Sequence, residues 1–348
     1  MELKITGRSK ELKGRLELPG DKSISHRAML LAAMGAGPSR LQGVLQSGVT
    51  NAMLNCLIEL GIESHYMGND DLLILGKDWK SPGAHLDCGY SGTTMRLLLG
   101  ALSSAPVHAI VDGSEQLRRR PMDRIVAPLK RMGARISAQN GQSQPPFIVE
   151  GQELHGIEHE LPVASAQVKS GILLAALSAE GETKITEPSP SRDHTERMLR
   201  NLGVSIMQHN GTVRLVPQHS VLPNFTMRIP GDVSSGAFPI VAAVIVPNSS
   251  VELSGIGINP TRTGLLEVLQ AMGADICIEN KRQSCGEPMA DLTVRSTTLI
   301  AQDIDAGQVV SMIDELPIFA IAATQARGVS KVYGAAELRL KESDRISA

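Results

Sequence analysis

Two cations and two hydroxyls lie together near the N-terminus, directly before a stretch of small apolar residues. The segment 22–27 contains Lys22, Ser23, Ser25 and Arg27, and it predicts the start of a helix. Backbone N–H groups in the first helical turn are unpaired, and the helix dipole favours negative charge there. Ser23 or Ser25 can cap this helix, while Lys22 and Arg27 can bind a phosphate or carboxylate. An ordinary capped helix with solvated charges is the alternative, and only recurrence of the pattern favours anion binding.

Similar polar groups precede other predicted helices. Three adjacent arginines usually form a solvated surface patch, and carboxylates at a helix start usually complement the helix dipole. Several Lys and Arg side chains at helix starts, together with a few carboxylates, are nevertheless suited to binding small polyanions and moving a proton. These groups lie at 118–121, 165–170, 191–196, 314–315 and 341–345.

Composition and missing motifs exclude several other classes of function. The formal net charge is −2 and aromatic residues make up 2% of the chain, which disfavours binding to nucleic acid or to a membrane surface. The segment 20–23 lacks the earlier glycine of a phosphate-binding P-loop, and no Gly-x-Gly-x-x-Gly follows a predicted strand. The four cysteines are scattered, and no acidic cluster indicates a metal. We therefore expect a cytoplasmic protein without a metal site.

Two series of residues recur with a period of about 70 and indicate the elements that position these groups. Glycines that close predicted amphipathic helices are 72, 70 and 70 residues apart. Starts of helices rich in Ala, Gly and Leu are separated by 68, 74, 69 and 80 residues. Such helices lack a broad polar face, so we expect them to be buried. The closing glycines are Gly61, Gly133, Gly203 and Gly273, and the starts are Ser23, Ser91, Ser165, Ser234 and Asp314.

The chain resembles the 5-enolpyruvylshikimate-3-phosphate synthase family from end to end. The matching pieces occur in the order found in that family, and their combination is more specific than any one of them. Tyr90 departs from the pattern, because the family usually has asparagine there. The pieces lie at 19–27, 91–96, 119–122, 165–170, 191–196, 230–235, 314–317 and 337–345.

The resemblance implies an α/β fold, a two-domain inside-out α/β barrel built from repeated βαβαββ units. Residues 20–229 would form a three-unit domain that carries most of the shikimate 3-phosphate site. Residues 1–19 plus 230–348 would form the second domain, because the first strand of the family belongs with its C-terminal half. The closing glycine of the fifth unit is due beyond Ala348, so we expect a second domain truncated in that unit.

The resemblance also implies a reaction. The family transfers the enolpyruvyl group of phosphoenolpyruvate to the 5-hydroxyl of shikimate 3-phosphate and releases phosphate, as part of aromatic amino acid biosynthesis. The resemblance implies that this reaction uses no metal and no organic cofactor. The residues implied for proton transfer are Asp314, Lys22 and Glu342. Those implied for shikimate 3-phosphate are Lys22, Ser23, Arg27, Ser165, Ala166, Gln167, Arg192, Asp314 and Lys341. Those implied for phosphoenolpyruvate are Lys22, Gly92, Arg120, Gln167 and Arg345.

Two other functions stay open at this point. A UDP-N-acetylglucosamine enolpyruvyl transferase would share the fold and the chemistry, but the lysine motif and cysteine loop of that enzyme have no clear match here. A catalytically silent anion-binding fragment is the other alternative, because a truncated chain is expected to have little activity alone. The expected partners are the two small-molecule substrates, and the complete protein is expected to be a monomer.

Overall fold

Strands and helices alternate along the chain. The computed structural model describes residues 10–139, 144–218, 221–340 and 343–347. The strands are β1 Lys13–Glu17, β2 Gly37–Gln42, β3 Glu63–Tyr66, β4 Asp71–Gly76, β5 Leu86–Asp87, β6 His108–Asp112, β7 Arg135–Ala138, β8 Phe147–Glu150, β9 Glu158–Glu160, β10 Thr183–Thr186, β11 Ser205–His209, β12 Thr212–Val216, β13 Thr226–Arg228, β14 Ser250–Gly257, β15 Asp275–Ser284 and β16 Glu287–Arg295. The helices are α1 Lys22–Met34, α2 Gly48–Glu59, α3 Gly92–Leu102, α4 Glu115–Arg118, α5 Asp123–Arg131, α6 Ala166–Ala176, α7 His194–Asn201, α8 Val233–Ile245, α9 Gly264–Ala271, α10 Ala306–Ser311 and α11 Leu316–Thr324, with a 3-10 helix over Ala336–Leu340.

Contacts divide the chain into two units. Unit A consists of the described residues of Gly20–Ile229 and Ser284–Glu287. Unit B consists of the described residues of Met1–Pro19, Pro230–Gln283 and Pro288–Ala348. The sequence-based boundaries differ from this division by one segment, because Ser284–Glu287 belongs to unit A.

Unit A contains three four-stranded sheets of the same topology. Their strand orders are β13-β2-β4-β3, β5-β6-β8-β7 and β11-β12-β10-β9. Each sheet joins one parallel pair to two antiparallel pairs. The period of about 70 residues in the sequence therefore corresponds, in unit A, to one four-stranded sheet per repeat. The first sheet contains β13, which comes from the end of the unit and pairs with β2 in the register Thr226↔Arg40.

The helices made of small apolar residues lie inside unit A. Nearly every residue of α1, α3 and α6 after the first turn is buried. Gly100 of α3 lies so close to α6 that a Cβ there would overlap the backbone carbonyl of Gly171. Small residues thus let the inner helices approach closely, and the predicted α/β class with inner helices is confirmed.

Glycines end the four amphipathic helices, as their spacing predicts. Gly61, Gly133, Gly203 and Gly273 have φ of +88°, +101°, +88° and +95°, which is the left-handed region that glycine occupies without strain. The chain turns at each of them and continues directly into a strand such as β7.

Unit B has its own sheet and its own core. Its strand order is β1-β14-β16-β15, and β1 pairs in parallel with β14 in the register Lys13↔Ser250. The first strand therefore belongs with the C-terminal half of the chain, as the resemblance implies. Helix α8 packs against β14 and α11. Among the described residues, no helix is both long and apolar enough to cross a membrane.

Three helix starts differ from the sequence prediction. The N-cap of α1 is Asp21, whose Oδ1 accepts from the N–H of Ile24 at 2.9 Å, so neither Ser23 nor Ser25 caps this helix. Carboxylates are good caps because they accept a hydrogen bond and also complement the positive end of the dipole. Ser25 instead accepts from the N–H of Leu45 at 3.1 Å.

The other two differences are in unit B. The N-cap of α8 is Asp232, which precedes Ser234 by two residues and accepts from its N–H at 2.9 Å. The N-cap of α11 is Glu315, one residue after Asp314, and its side chain makes no capping hydrogen bond. Pro317 in the first turn of α11 has no N–H to satisfy, which reduces the need for such a cap.

Candidate active site

The N-termini of the three inner helices lie close together in unit A. The imidazole of His26 in α1 lies 3.2 Å from Oγ of Ser91, the N-cap of α3. Gln167 in the first turn of α6 donates from Nε2 to Oγ1 of Thr93 in α3 at 2.9 Å. These side-chain hydrogen bonds connect α1 to α3 and α3 to α6. Unpaired N–H groups and three helix dipoles thus favour an anion at this end of the helices.

The residues at this end differ in accessibility. Lys22 is exposed, and Ser23 and Arg192 are half-buried. Ser165, the N-cap of α6, is also half-buried, as are Ala166 and Gln167. Most residues that the resemblance assigns to shikimate 3-phosphate are therefore reachable from solvent, and those in unit A gather at the start of the inner helices.

Hydrogen bonds from Arg96 connect the segments that carry the residues assigned to phosphoenolpyruvate by the resemblance. Its Nη1 donates to Oε1 of Gln167 at 2.6 Å and to the carbonyl of Gly92 at 3.3 Å. Its Nη2 donates to the carbonyl of Pro121 at 3.2 Å, next to Arg120. Arg96 is not among the site residues predicted from the sequence. The available signal was a cation placed four residues after Gly92 in a helix whose other residues are uncharged.

Two guanidinium groups converge on the start of α3. A Cβ built on Gly92 would lie 2.7 Å from Nη1 of Arg120 and 2.8 Å from Nη1 of Arg96. The space beside Gly92 is thus lined by positive charge on one side and by the helix N-terminus on the other. Charged hydrogen bonds from guanidinium groups are well suited to phosphate and carboxylate oxygens.

Arg27 is buried and held from several directions. Its Nη1 donates to the carbonyl of Ser23 at 2.9 Å, its Nε to Oγ1 of Thr195 at 2.8 Å, and its Nη2 to Oγ of Ser170 at 2.8 Å. Burial lowers the pKa of Arg27 to about 10, while the nearby carboxylate of Glu196 acts in the opposite direction. Arg27 therefore keeps its charge at neutral pH.

A buried ion cluster lies between α6 and α7. Nζ of Lys169 is 2.6 Å from Oε2 of Glu187 and 2.7 Å from Oε1 of Glu196, and all three side chains are at most 1% exposed. Glu187 also accepts a hydrogen bond from Ser191, the residue before Arg192. Burial opposes the charge of Lys169, yet the two carboxylates together raise its pKa. Lys169 thus fixes the segment that carries Arg192 as well as α7.

His26 is a structural histidine rather than a proton donor or acceptor for a ligand. Its ring nitrogens lie 2.7 Å from the carbonyl of Lys22 and 3.0 Å from that of Val49. Burial lowers the pKa of His26 to about 4, despite these carbonyl contacts. The ring is therefore neutral at physiological pH, and its function is to connect α1 with the start of α3.

Unit B contains the remaining predicted residues. Nη1 of Arg345 donates to Oδ1 of Asp314 at 3.1 Å, so the structure brings these two together. Lys341 and Glu342 lie outside the described residues. Asp314 precedes the buried Glu315, which accepts a hydrogen bond from Ser234. Tyr90, at the position where the family usually has asparagine, belongs to unit A and is 68% exposed.

Comparison with known proteins relates this geometry to one family. The profile of EPSP synthase (3-phosphoshikimate 1-carboxyvinyltransferase) matches residues 6–348. A curated protein of that name from Syntrophomonas wolfei subsp. wolfei is 45% identical over 348 residues, covering 99% of this chain and 81% of the relative. Another, from Anaeromyxobacter sp. strain Fw109-5, is 46% identical over 337 residues, covering 97% of this chain and 78% of the relative.

Solved structures agree with these relatives. A 2.37 Å structure of EPSP synthase from Acinetobacter baumannii matches with a TM-score of 0.91 and 44% identity, covering 98% of this chain and 77% of that chain. The enolpyruvyl transferase NikO from Streptomyces tendae matches with a TM-score of 0.72 at 17% identity and covers 93% of this chain and 76% of that chain, which shows a shared fold. The predicted truncation stays a prediction, because the fraction of each relative that this chain covers does not establish it. The monomeric state and the cytoplasmic location also stay predictions.

Proposed function

We propose a function for this chain on the ground that it belongs to the EPSP synthase (3-phosphoshikimate 1-carboxyvinyltransferase) family. It transfers the enolpyruvyl group of phosphoenolpyruvate to the 5-hydroxyl of shikimate 3-phosphate and releases phosphate. This is a transferase reaction of the shikimate pathway to aromatic amino acids. The match over residues 6–348 carries the proposal. Relatives with 42–46% identity favour this function over a UDP-N-acetylglucosamine transferase and over a silent fragment.

Shikimate 3-phosphate would bind at the start of α1 and α6. In unit A the proposed contacts are to N-terminal groups of these helices, to Arg27 and to Arg192. The three helix dipoles and the charge that Arg27 retains support this assignment. The residues proposed from unit A are Lys22, Ser23, Arg27, Ser165, Ala166, Gln167 and Arg192, and those proposed from unit B are Asp314 and Lys341.

Phosphoenolpyruvate would bind beside the start of α3. The guanidinium groups of Arg96 and Arg120, which converge on Gly92, support an anion there. The hydrogen bond from Arg96 to Oε1 of Gln167 holds the side-chain amide of Gln167 in one orientation, which supports its assignment to the same substrate. The residues proposed for this substrate are Lys22, Gly92, Arg120, Gln167 and Arg345.

The reaction needs one proton donor and one proton acceptor. Protonation of the methylene carbon by Glu342 or Lys22 would develop positive charge at C2 of phosphoenolpyruvate. The 5-hydroxyl oxygen would then attack C2 while its proton passes to Asp314. In the second step the bond from C2 to the phosphate oxygen would break while the methyl carbon returns a proton to Glu342 or Lys22, which restores the enolpyruvyl double bond and releases phosphate. The hydrogen bond from Arg345 to Oδ1 of Asp314 orients this carboxylate, whose oxygens can accept the hydroxyl proton.

Phosphate release by the purified chain tests the function. Release that requires both shikimate 3-phosphate and phosphoenolpyruvate, and that is absent with UDP-N-acetylglucosamine as the acceptor, supports the proposal. No release with both substrates present would instead favour the silent fragment that the predicted truncation would give. Replacing Lys22 by Ala should lower kcat/KM by about 10-fold or more, since a charged hydrogen bond contributes roughly 1.5–3 kcal/mol. The matched control is Arg131→Ala, which removes an exposed cation of α5 whose Nη2 donates to the carbonyl of Glu158. Equal losses from both substitutions would contradict the proposal.

A further inference from the structure

The hydroxyl groups of Thr195 and Ser170 accept hydrogen bonds from Arg27 and are hydrogen-bonded to each other. Oγ1 of Thr195 accepts from Nε of Arg27 at 2.8 Å and donates to Oγ of Ser170 at 2.7 Å. Oγ of Ser170 also accepts from Nη2 of Arg27 at 2.8 Å and donates to the carbonyl of Ala166 at 2.6 Å. Thr195 and Ser170 are at most 1% exposed, and neither belongs to the residues proposed to contact a substrate.

This arrangement fixes the direction of the guanidinium group. Among the residues that the structure describes, three of the five N–H groups of Arg27 have acceptors, namely Thr195, Ser170 and the carbonyl of Ser23. Two N–H groups, one on each terminal nitrogen, remain for an anion. An arginine side chain carries about 2 kcal/mol of rotamer entropy, so neutral acceptors that hold it in one orientation make bidentate binding more favourable.

Neutral acceptors also preserve the charge of Arg27. The carboxylate of Glu196 is next to Thr195 in the chain and acts on Arg27 through its charge. Lys169 lies 2.7 Å from Oε1 of Glu196 and compensates that charge. Arg27 is thus held by two hydroxyls and a carbonyl, while Glu196, the carboxylate that acts on it most strongly, is paired with Lys169. A direct carboxylate partner would instead cancel the charge that an anionic substrate needs.

We propose that Thr195, acting with Ser170, is a positioning residue that orients Arg27 for shikimate 3-phosphate. This inference rests on the proposed function. It assigns to α7 a part in substrate affinity that does not involve contact between Thr195 and the substrate.

An isosteric substitution tests the inference. Thr195→Val keeps the branched shape but removes the hydroxyl, whereas Thr195→Ser keeps the hydroxyl. We expect Thr195→Val to weaken shikimate 3-phosphate binding and raise its KM about tenfold, which is the effect of one lost charged hydrogen bond at the low end of its range. The KM for phosphoenolpyruvate should change less than about twofold, and Thr195→Ser should restore affinity.

Thr183 of β10 offers a matched control in the same unit. It is fully buried, and its Oγ1 has no hydrogen-bond partner in the part of the chain that the structure describes. Thr183→Val should therefore leave affinity for shikimate 3-phosphate unchanged. If Thr195→Val and Thr183→Val bind this ligand equally well, the positioning role is wrong. Equal rises in KM for both substrates in Thr195→Val would also overturn it.

A second readout separates this inference from the proposed function. The Nε–H of Arg27 gives an NMR signal that should exchange slowly in the parent and in Thr195→Ser, and at least about tenfold faster in Thr195→Val. Unchanged exchange in Thr195→Val would overturn the inference even if the enzyme is active. If the parent does not bind shikimate 3-phosphate, the proposed function fails, and this exchange measurement still decides whether Thr195 holds Arg27.

Discussion

Substitution of Gly92 by Ala should damage phosphoenolpyruvate binding without damaging the fold. Gly92 is the first residue of α3, follows the N-cap Ser91, and does not have a left-handed φ, so Ala fits the backbone there. The new Cβ would lie 2.7 Å from Nη1 of Arg120 and 2.8 Å from Nη1 of Arg96. Ordinary van der Waals contact begins at 3.4 Å, so the Arg120 nitrogen must move by about 0.7 Å.

The size of this shift sets the expected effect. Misplacing a binding group by about 1 Å can cost about 100-fold, so we expect the KM for phosphoenolpyruvate to rise by roughly 10-fold to 100-fold. The displaced atoms are the ends of flexible side chains, and Ala has the better helix propensity. The free energy of unfolding should therefore change by less than about 1 kcal/mol. Shikimate 3-phosphate affinity should stay within about twofold, because its proposed contacts lie on α1 and α6.

Steady-state phosphate release gives the KM values, calorimetric titration gives the shikimate 3-phosphate affinity, and urea unfolding gives the stability. The matched control is Gly48→Ala, at the equivalent first position of α2 after the N-cap Ser47, where a Cβ would meet nothing within 4 Å. A KM for phosphoenolpyruvate in Gly92→Ala within twofold of the parent would refute the geometry argued for Arg120. So would an equal rise in Gly48→Ala.

Two further predictions concern buried ionisable groups. Lys169→Met should lower the free energy of unfolding by about 3–5 kcal/mol in urea titration, because it leaves two buried carboxylates without a cation. Lys184→Met removes a surface ion pair in which Nζ of Lys184 lies 2.5 Å from Oε1 of Glu158, and it should lower the free energy of unfolding by at most about 1 kcal/mol. Equal losses from the two substitutions would contradict the role of burial. His26 has its pKa lowered to about 4, below its unfolded value of about 6.5, so its contribution to stability is lost as pH falls through that window. The stability difference between the parent and His26→Asn should thus shrink by about 3 kcal/mol between pH 7 and 4, and a constant difference would show that His26 does not titrate there.

Features that depend on local backbone chemistry could be predicted from the sequence. The left-handed glycines after the amphipathic helices follow from a Leu-x-x-Leu/Met-Gly pattern, and Gly61 and Gly133 illustrate it. The burial of α1, α3 and α6 follows from their composition, since no polar face remains to meet water. The caps were less predictable, because Asp21 and Ser23 are both good caps and only the geometry of the turn decides between them.

Features that depend on contacts between distant segments could not be predicted. Arg96 is 71 residues from Gln167, and Thr195 is 168 residues from Arg27, so no local pattern marks either pair. Arg96 at least gave a signal, because it is a cation in an inner helix whose other residues are uncharged, whereas Thr195 lies in the polar helix α7 and gave none. In both cases the partner depends on how the helices pack, which a periodic pattern does not specify.

The measurement that tests the account most directly is a crystal structure of the protein with shikimate 3-phosphate bound. The account predicts ligand density at the N-termini of α1 and α6, with ligand oxygens within hydrogen-bond distance of Ser23, Arg27 and Ser165. Binding of the ligand elsewhere on unit A, with these groups unchanged and free of ligand, would contradict it.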